Sequence, residues 1–512
     1  MKKLLLFAVV IGFVISFSSI SEAADKKVRL TSLEESPSLI EDWVVENIIA
    51  AEMETLTVDY DCFSFPECRK QVVKIKKALP NIVIRVYGNP MELFDRTTIL
   101  DQRPIQKAIW LEVGSTYQDY YLHDKNGERV VFWQQPDKDI FMEMMNLSSL
   151  CPKYSHKSWG MYWVDKVYEK VYLPNKDLVD GLEIDNLWPY VSFVNEMRDV
   201  EIDLDNDGKS ENLFLLDYHW REGINEMIAY ARTKFPKDFV ITGRGFQYRY
   251  ADKVDGLTME EVFMNGDALQ GGNYAKVERW LRHTTKMPYT TLNERVTWGE
   301  PVANISNYVI CLLGDGYCGF DAGGSSEHGS FEPFDGYIDL GQPTGKVIYP
   351  YNKIFDLETD AQHLSGGKIQ SDGTVRLDPG QKAMFVLPSG EFKVNFYYEV
   401  HGGRYEKSFF NFFYSGKKTK DGPLRWVDGE VYQDVKAPQT GIVSWEYKGP
   451  GYAVIKWIKI HQTDKTTRHY FSRTYEKGVV VYNPITQPIG INLKGGTQLR
   501  LEPGQGKILL YQ

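Results

Sequence analysis

Cysteine and histidine are scarce in this chain, five and nine among 512 residues. Five cysteines are too few for a disulfide-built scaffold. No Cys/His cluster has zinc-site spacing, and His-Glu-x-x-His does not occur. Positive charge is also short: 59 lysines and arginines face 69 acidic residues, a net charge of −10. Without a basic stripe to follow phosphates, nucleic acid is excluded as a partner. Beyond the N-terminus no apolar run approaches the roughly 20 residues of a membrane span, so no transmembrane segment is expected. A Gly-x-Ser-x-Gly elbow is missing as well, which weakens an esterase reading. Asp321-Ala322-Gly323-Gly324-Ser325-Ser326 has no Gly-Lys-Ser/Thr after it and is no phosphate loop. It reads either as a lid that brings Glu327 and His328 to a cleft or as a plain exposed connection.

What is present at the N-terminus is an export signal. Lys2 and Lys3 precede an apolar stretch, Leu4 to Phe17, and Ser21-Glu22-Ala23 is a small-residue cleavage site. Cleavage after Ala23 is expected, leaving a periplasmic or extracellular protein. In an oxidising compartment, Cys62 with Cys68 and Cys311 with Cys318 could form local disulfides, leaving Cys151 over. Spacing does not prove that geometry, and buried thiols fit equally.

The length implies two or three domains. From residue 54 to about 322, short apolar runs alternate with amphipathic stretches, the pattern of βα units. Expected strands are Thr55 to Asp61, Asn81 to Tyr87, Phe141 to Leu147, Gly181 to Asp185, Phe239 to Thr242, Gly256 to Glu260, Tyr289 to Leu292 and Tyr317 to Asp321. That count gives an α/β fold, a (β/α)8 TIM barrel at 24–345, of about the usual 250-residue size. After about residue 340, period-two patterns and Gly, Pro and Asp turns take over, as in all-β sandwich domains.

Two segments echo each other. Val179-Asp180-Gly181-Leu182-Glu183-Ile184-Asp185 returns as Val254-Asp255-Gly256-Leu257-Thr258-Met259-Glu260. Side chains alternate faces along a strand, so Gly181, Glu183 and Asp185 share one face, and Gly256, Thr258 and Glu260 share its counterpart. Two inward carboxylates at strand ends form a pair at the C-terminal mouth of a barrel. Acetal hydrolysis requires such a pair facing one bond. Aromatic residues make up 14% of the chain, and nine of the twelve tryptophans precede residue 300. That suits a glycan cleft, although most aromatics belong to cores.

On these segments, with Met145-Asn146-Leu147-Ser148, Asp203 to Gly208, Ile241-Thr242-Gly243 and Arg473 to Pro484, the chain resembles hypothetical glycosyl hydrolase family 15 and, more loosely, polygalactosaminidase-like barrels. The resemblance implies Asp185 as nucleophile and Glu260 as general acid/base; Glu261 is adjacent to Glu260, and a bulge would exchange the two. It also implies a family C-terminal β domain at 467–512 whose strands pair with about 336–351. Residues 352–466 then form an inserted β-sandwich similar to a carbohydrate-binding module.

Other candidates carry two readings each. Glu183 tunes Asp185 or pairs with Arg85 across the floor. Asp59 and Asp61 bind sugar hydroxyls, or cap a helix and form a buried ion pair. Arg244, Asn293 and Glu294 follow strands five and seven as subsite residues, Glu294 being the rival nucleophile. Trp188 is a stacking platform or part of the core. Asp203, Asp205 and Asp207 with Gly208 and Glu211 begin like a calcium loop. Phe214 stands where an EF-hand needs its glutamate, so either a shorter structural calcium site or a solvated acidic turn remains. No cofactor is required for the chemistry. The functional expectation is an exported glycoside hydrolase acting on a polysaccharide or oligosaccharide. Its alternative is a barrel that binds carbohydrate without turnover.

Overall fold

Eight parallel strands form one sheet that curls almost into a closed barrel, with β1 (Thr31–Glu34) and β8 (Tyr317–Asp321) at its two ends and facing each other. Between them run β2 (Thr55–Asp59), β3 (Val83–Gly88), β4 (Gly181–Ile184), β5 (Val240–Arg244), β6 (Gly256–Glu260) and β7 (Thr291–Arg295), each parallel to its neighbour. The computed structural model describes residues 31–34, 40–94, 100–135, 140–245, 248–260, 274–295, 301–321, 338, 340–401, 409–423, 428–464, 469–492 and 498–511. The segment expected as an export signal, 1–23, lies outside them.

Helices cover the outside: α1 (Asp42–Ala50), α2 (Pro66–Ala78), α3 (Pro104–Thr116), α4 (Trp159–Val167), α5 (Phe193–Arg198), α6 (Leu213–Lys234), α7 (Tyr274–Lys286) and α8 (Pro301–Leu313). Their ends follow local chemistry. Pro66 opens α2, where its missing N–H costs nothing, and Lys76 and Lys77 sit in the last turn against the negative helix end. Asn212 caps α6 by accepting the Leu215 N–H at 3.1 Å. Leu56, Val58, Ile84, Val86, Leu182, Ile184, Ile241, Leu257, Met259 and Leu292, on the outward alternation of the strands, are buried against these helices. Each contributes about 1.5–3 kcal/mol by leaving water.

The repeated Val-Asp-Gly segments do the same work twice. Asp180 accepts the Ile84 N–H of β3 at 2.9 Å and the Lys76 ammonium of α2. Asp255 accepts the Ile241 N–H of β5 at 2.7 Å and the Arg232 guanidinium of α6 at 2.8 Å. Each aspartate thus ties a strand start to the neighbouring strand and to the helix that precedes that neighbour. The glycine that follows makes room. A Cβ at Gly181 would lie 2.6 Å from the Val240 carbonyl oxygen and 2.9 Å from Cγ of Arg85, and one at Gly256 would lie 2.3 Å from the Tyr289 carbonyl.

One expected barrel strand belongs elsewhere. Ile140–Met144 runs antiparallel between Glu92–Phe94 and Val131–Gln135, in a three-stranded sheet inserted between β3 and β4. Its apolar run looks like a buried parallel strand, a distinction that periodicity alone cannot make. Its place in the barrel is taken by β1, four residues whose sequence, Thr-Ser-Leu-Glu, carries no strand pattern. The segments expected as first and second strands are therefore β2 and β3, whereas β4 to β8 keep their places.

Past the barrel the sheets are antiparallel. Strands from Asn352–Asp356 to Tyr452–Gln462 form two sheets around their own core, which holds Phe396, Trp445, Ile455 and Ile458. Phe471–Thr474, Gly478–Tyr482 and Gly506–Leu510 form a third sheet, which bridges to Pro343 through Tyr475 and to Ile348 through Ser472. Arg473 and Tyr475 reach the last carbonyls of α8, including Leu312, and Cys311 and Cys318 join α8 to β8 by a disulfide. A second disulfide links Cys62 to Cys68, and Cys151 is a buried free thiol.

The sandwich meets the barrel on α7 through buried charge. Glu278 pairs with Arg282 at 3.1 Å and with Lys459 at 3.5 Å, and accepts from Asn395 at 3.0 Å. Arg282 lies 3.5 Å from the Trp457 ring centroid, and Tyr274 shares a 3.1 Å hydrogen bond with His461. Burial pushes Glu278 up, but Arg282 and Lys459 outweigh it and hold its carboxyl below the ordinary range. A Gly256→Ala protein is expected to lose about 1–3 kcal/mol of stability, the cost of forcing an atom into a packed backbone contact, as read from urea unfolding.

Candidate active site

The barrel floor is built around Glu183, which is almost wholly buried. Arg85 on β3 lies 3.3 Å from its Oε2, and Arg244 on β5 lies 3.5 Å from its Oε1. Thr57 on β2 donates to Oε2 at 3.2 Å, and Arg85 donates to Thr242 at 3.1 Å. Four adjacent strands are tied through one carboxylate. Of the two readings for Glu183, the pairing with Arg85 is the one present, with Arg244 added to it. A carboxylate between two guanidiniums serves to compensate buried charge.

Asp185 sits above this floor at the end of β4, nine-tenths buried. The Tyr87 hydroxyl donates to Oδ2 at 2.5 Å, and the Asn186 amide donates to Oδ1 at 2.8 Å. The first is a short, charge-assisted contact of the strong kind. Arg244 stacks over Tyr87, its guanidinium carbon 5.0 Å from the ring centroid, so one arginine steadies both Glu183 and the phenol that holds Asp185. The chain then turns sharply. Asn186 adopts a left-handed φ of 52°, Leu187 donates to the Arg244 carbonyl at 2.9 Å, and Trp188 to the Asn186 carbonyl at 2.7 Å. Trp188 lies across Gly245 and packs on Phe132 and Phe193, with part of its ring exposed.

A second carboxyl stands beside Asp185 that the sequence did not single out. Glu92 opens the short strand after β3 and is buried. Its Oε2 accepts from Asn89 at 3.1 Å and from the Asn186 side chain at 3.3 Å. Burial pushes its pKa up to about 8, the charge of Asp185 adds to this, and Asn89 and the Trp133 main chain oppose it. Tyr87, Asn89 and Asn186 were also missed as partners. The available signal was position: Asn89-Pro90 directly follows β3 at the mouth, where barrel sites are built.

Glu260 lies at the end of β6 on the alternation of Thr258 and Gly256, in register with Asn293 of β7. Its side chain lies outside the described residues, as do Glu261, Glu327 and His328. Asn293 is buried. Glu294 falls on the alternation of Leu292, which faces the helices, and its side chain too lies outside the described residues. Asp59 is the register neighbour of Tyr87, but its carboxylate meets Arg103 at 2.5 Å and the Asp61 amide at 2.8 Å. Asp61 is buried and accepts the Ile105 N–H of α3 at 2.5 Å. Burial, with Asp59 beside it, pushes Asp61 up to about 7. The structure occupies both aspartates in fixing α3.

In the acidic loop, Asp203, Asp205 and Glu211 offer one carboxylate oxygen each within 4.8 Å of one another. Asp207 does not join them, because its carboxylate pairs with Lys209 at 2.7 Å. Asp203 accepts the Gly208 amide at 2.7 Å, and Asn146 donates to the Leu204 carbonyl at 2.7 Å, which anchors the loop to the Met145-to-Ser148 segment.

A nearly closed parallel barrel with a seated carboxylate at its mouth is the setting in which sequence comparison becomes informative. Residues 76–293 match hypothetical glycosyl hydrolase family 15. The expected resemblance is thus met over the segment that carries β4 to β6. No curated protein matches the chain in sequence. Among solved structures, a cycloalternan-forming enzyme from Listeria monocytogenes is 9% identical at a TM-score of 0.38, covering 86% of this chain and 67% of its own. A cycloisomaltooligosaccharide glucanotransferase from Paenibacillus sp. is 10% identical at 0.35, over 84% of this chain. The chain spans 57% of that enzyme's length. The C-terminal CBM6 of a laminarinase from Zobellia galactanivorans is 15% identical at 0.14, over 23% of this chain and 98% of the module. Similarity this slight says nothing about chemistry. Among the described residues no helix is long and apolar enough to cross a membrane.

Removing one partner from the floor leaves a buried charge uncompensated. Glu183→Gln, which strips the counter-charge from both Arg85 and Arg244, should cost about 3–5 kcal/mol, whereas Arg85→Met leaves Glu183 paired with Arg244 and should cost less, both measured by chemical denaturation.

Proposed function

We propose that the chain is an exported glycoside hydrolase that cleaves a glycosidic bond of a polysaccharide or oligosaccharide with two carboxyl groups at the barrel mouth. The observation that carries this reading is the seat of Asp185, a nearly buried carboxylate fixed by the Tyr87 hydroxyl and the Asn186 amide at the end of β4. The family match over residues 76–293 supports the reaction class. Asp185 attacks or stabilises the anomeric centre, and Glu260 on β6 protonates the departing oxygen. Arg244 and Asn293 contact sugar hydroxyls, Glu294 lies at the rim, and Trp188 presents its ring to a sugar face. Export rests on the Lys2-to-Ala23 segment, and the sandwich at 352–466 serves as an accessory glycan-binding domain.

The test is reducing-sugar release from a broad glycan panel by wild type, Asp185→Asn and Glu260→Gln. Both variants should lose at least about a hundredfold in rate, the scale of a positioned acid/base group. Activity that survives both substitutions removes this pair from the chemistry. A glycan that raises the melting temperature without being cleaved favours the carbohydrate-binding barrel.

The same proposal includes a structural calcium ion held by Asp203, Asp205 and Glu211, carboxylate oxygens being the ligands such an ion takes. Calcium should then raise the melting temperature and chelator lower it, since a ligand of the folded state stabilises by mass action. Asp203→Asn should abolish the difference and Asp207→Asn should leave it.

A further inference from the structure

We propose that Glu92 is a positioning residue of the Asp185 site: a carboxyl that stays neutral while Asp185 is ionised, and whose loss of a proton sets the alkaline limit of the site. The inference rests on the reading of Asp185 as the charged group of glycoside cleavage, and it adds a third carboxyl to the two proposed above.

Its basis is the sharing of one residue. The Asn186 main chain donates to Asp185 and the Asn186 side chain donates to Glu92, so the two carboxyls lie on either side of a single asparagine. That asparagine is held in a left-handed conformation, one that asparagine tolerates better than most residues. Asn89 fixes Glu92 from the other side. Glu92 is 3% exposed, and among the described residues no cation forms an ion pair with it. A carboxylate buried without a partner costs several kcal/mol, which protonation avoids. The charged or polar groups that face it are Asp185 from the end of β4, Arg198 from α5, the Trp133 main chain from the inserted sheet and Asn89 from the end of β3. Arg198 is turned in part to the Phe132 carbonyl, where it donates a hydrogen bond. Burial with Asp185 outweighs Arg198, and Glu92 titrates near 8.

The consequence for the site follows from Coulomb's law at short range. With Glu92 neutral, Asn186 presents its amide to a carbonyl-like oxygen on one side and to a carboxylate on the other. With Glu92 ionised, two like charges share one small residue, and each disfavours the other. A glycoside bound against Asp185 would then meet a displaced or protonated carboxyl.

The experiment is a titration of stability that needs no substrate. Glu92 binds its proton more tightly folded than unfolded, where a glutamate titrates at about 4.3. Its contribution is therefore fully present below that pH and is lost as pH rises through about 8. Wild type should lose melting temperature relative to Glu92→Gln across that window. In the Asp185→Asn background the midpoint of this difference should fall by about one pH unit, because the like charge is gone. A flat difference, or a midpoint indifferent to Asp185→Asn, overturns the proposal. Should Glu92→Gln fail to fold, the infrared band of the protonated carboxyl decides between the same outcomes in wild type and Asp185→Asn. For any glycan that wild type cleaves, kcat/KM should fall above about pH 8, and that limb should vanish in Glu92→Gln whatever its rate at lower pH. A wild type that cleaves nothing defeats the hydrolase reading, while the stability titration still decides Glu92.

Discussion

The buried ion cluster around Glu183 is the constraint on which the mouth of the barrel depends. It draws Thr57, Arg85 and Arg244 from three other strands onto one carboxylate. Such a cluster is costly to build, because three charged groups leave water for contacts that only good geometry repays. The fold supplies that geometry through Gly181, whose missing side chain lets Arg85 lie across β4. Arg244 then continues upward over Tyr87, and Tyr87 fixes Asp185. Asp185 is thus positioned from below by a buried ion cluster.

The same economy appears in the repeated Val-Asp-Gly segments. In both copies the aspartate locks a strand start and the glycine admits a neighbour, so the resemblance between them lies in the floor and outer wall. They diverge at the mouth. The first copy ends in Asp185, gripped by a phenol and an amide. The second ends in Glu260, the register partner of Asn293 on the next strand.

Strands β4, β6 and β8 were legible because glycine and a terminal carboxylate coincide in them, β5 and β7 because short apolar runs stand between amphipathic stretches, and the Glu183–Arg85 pair because both lie on inward alternations. Thr31–Glu34 was not legible: it is too short and polar to bear a period, and only the ends of the sheet call for it. Ile140–Met144 misled because an apolar run does not say which sheet it enters. Glu92 was hidden for another reason. It lies in a three-residue strand too short to carry a period, far in sequence from Asp185, and only the fold shows that both address Asn186. Asp59 and Asp61 were two-sided in sequence, and Arg103 and the start of α3 decided them.

The charged face between α7 and the sandwich bears on how a glycan would be handled. Glu278, Arg282, Lys459 and Asn395 interlock there. A module on a loose linker raises local concentration by sampling many orientations. A module clamped by buried ion pairs samples few, so a chain held by the sandwich would reach the barrel mouth along one fixed bearing or not at all. Under the proposed function, that fixed bearing would select among polymers by their curvature and stiffness before any sugar meets Asp185.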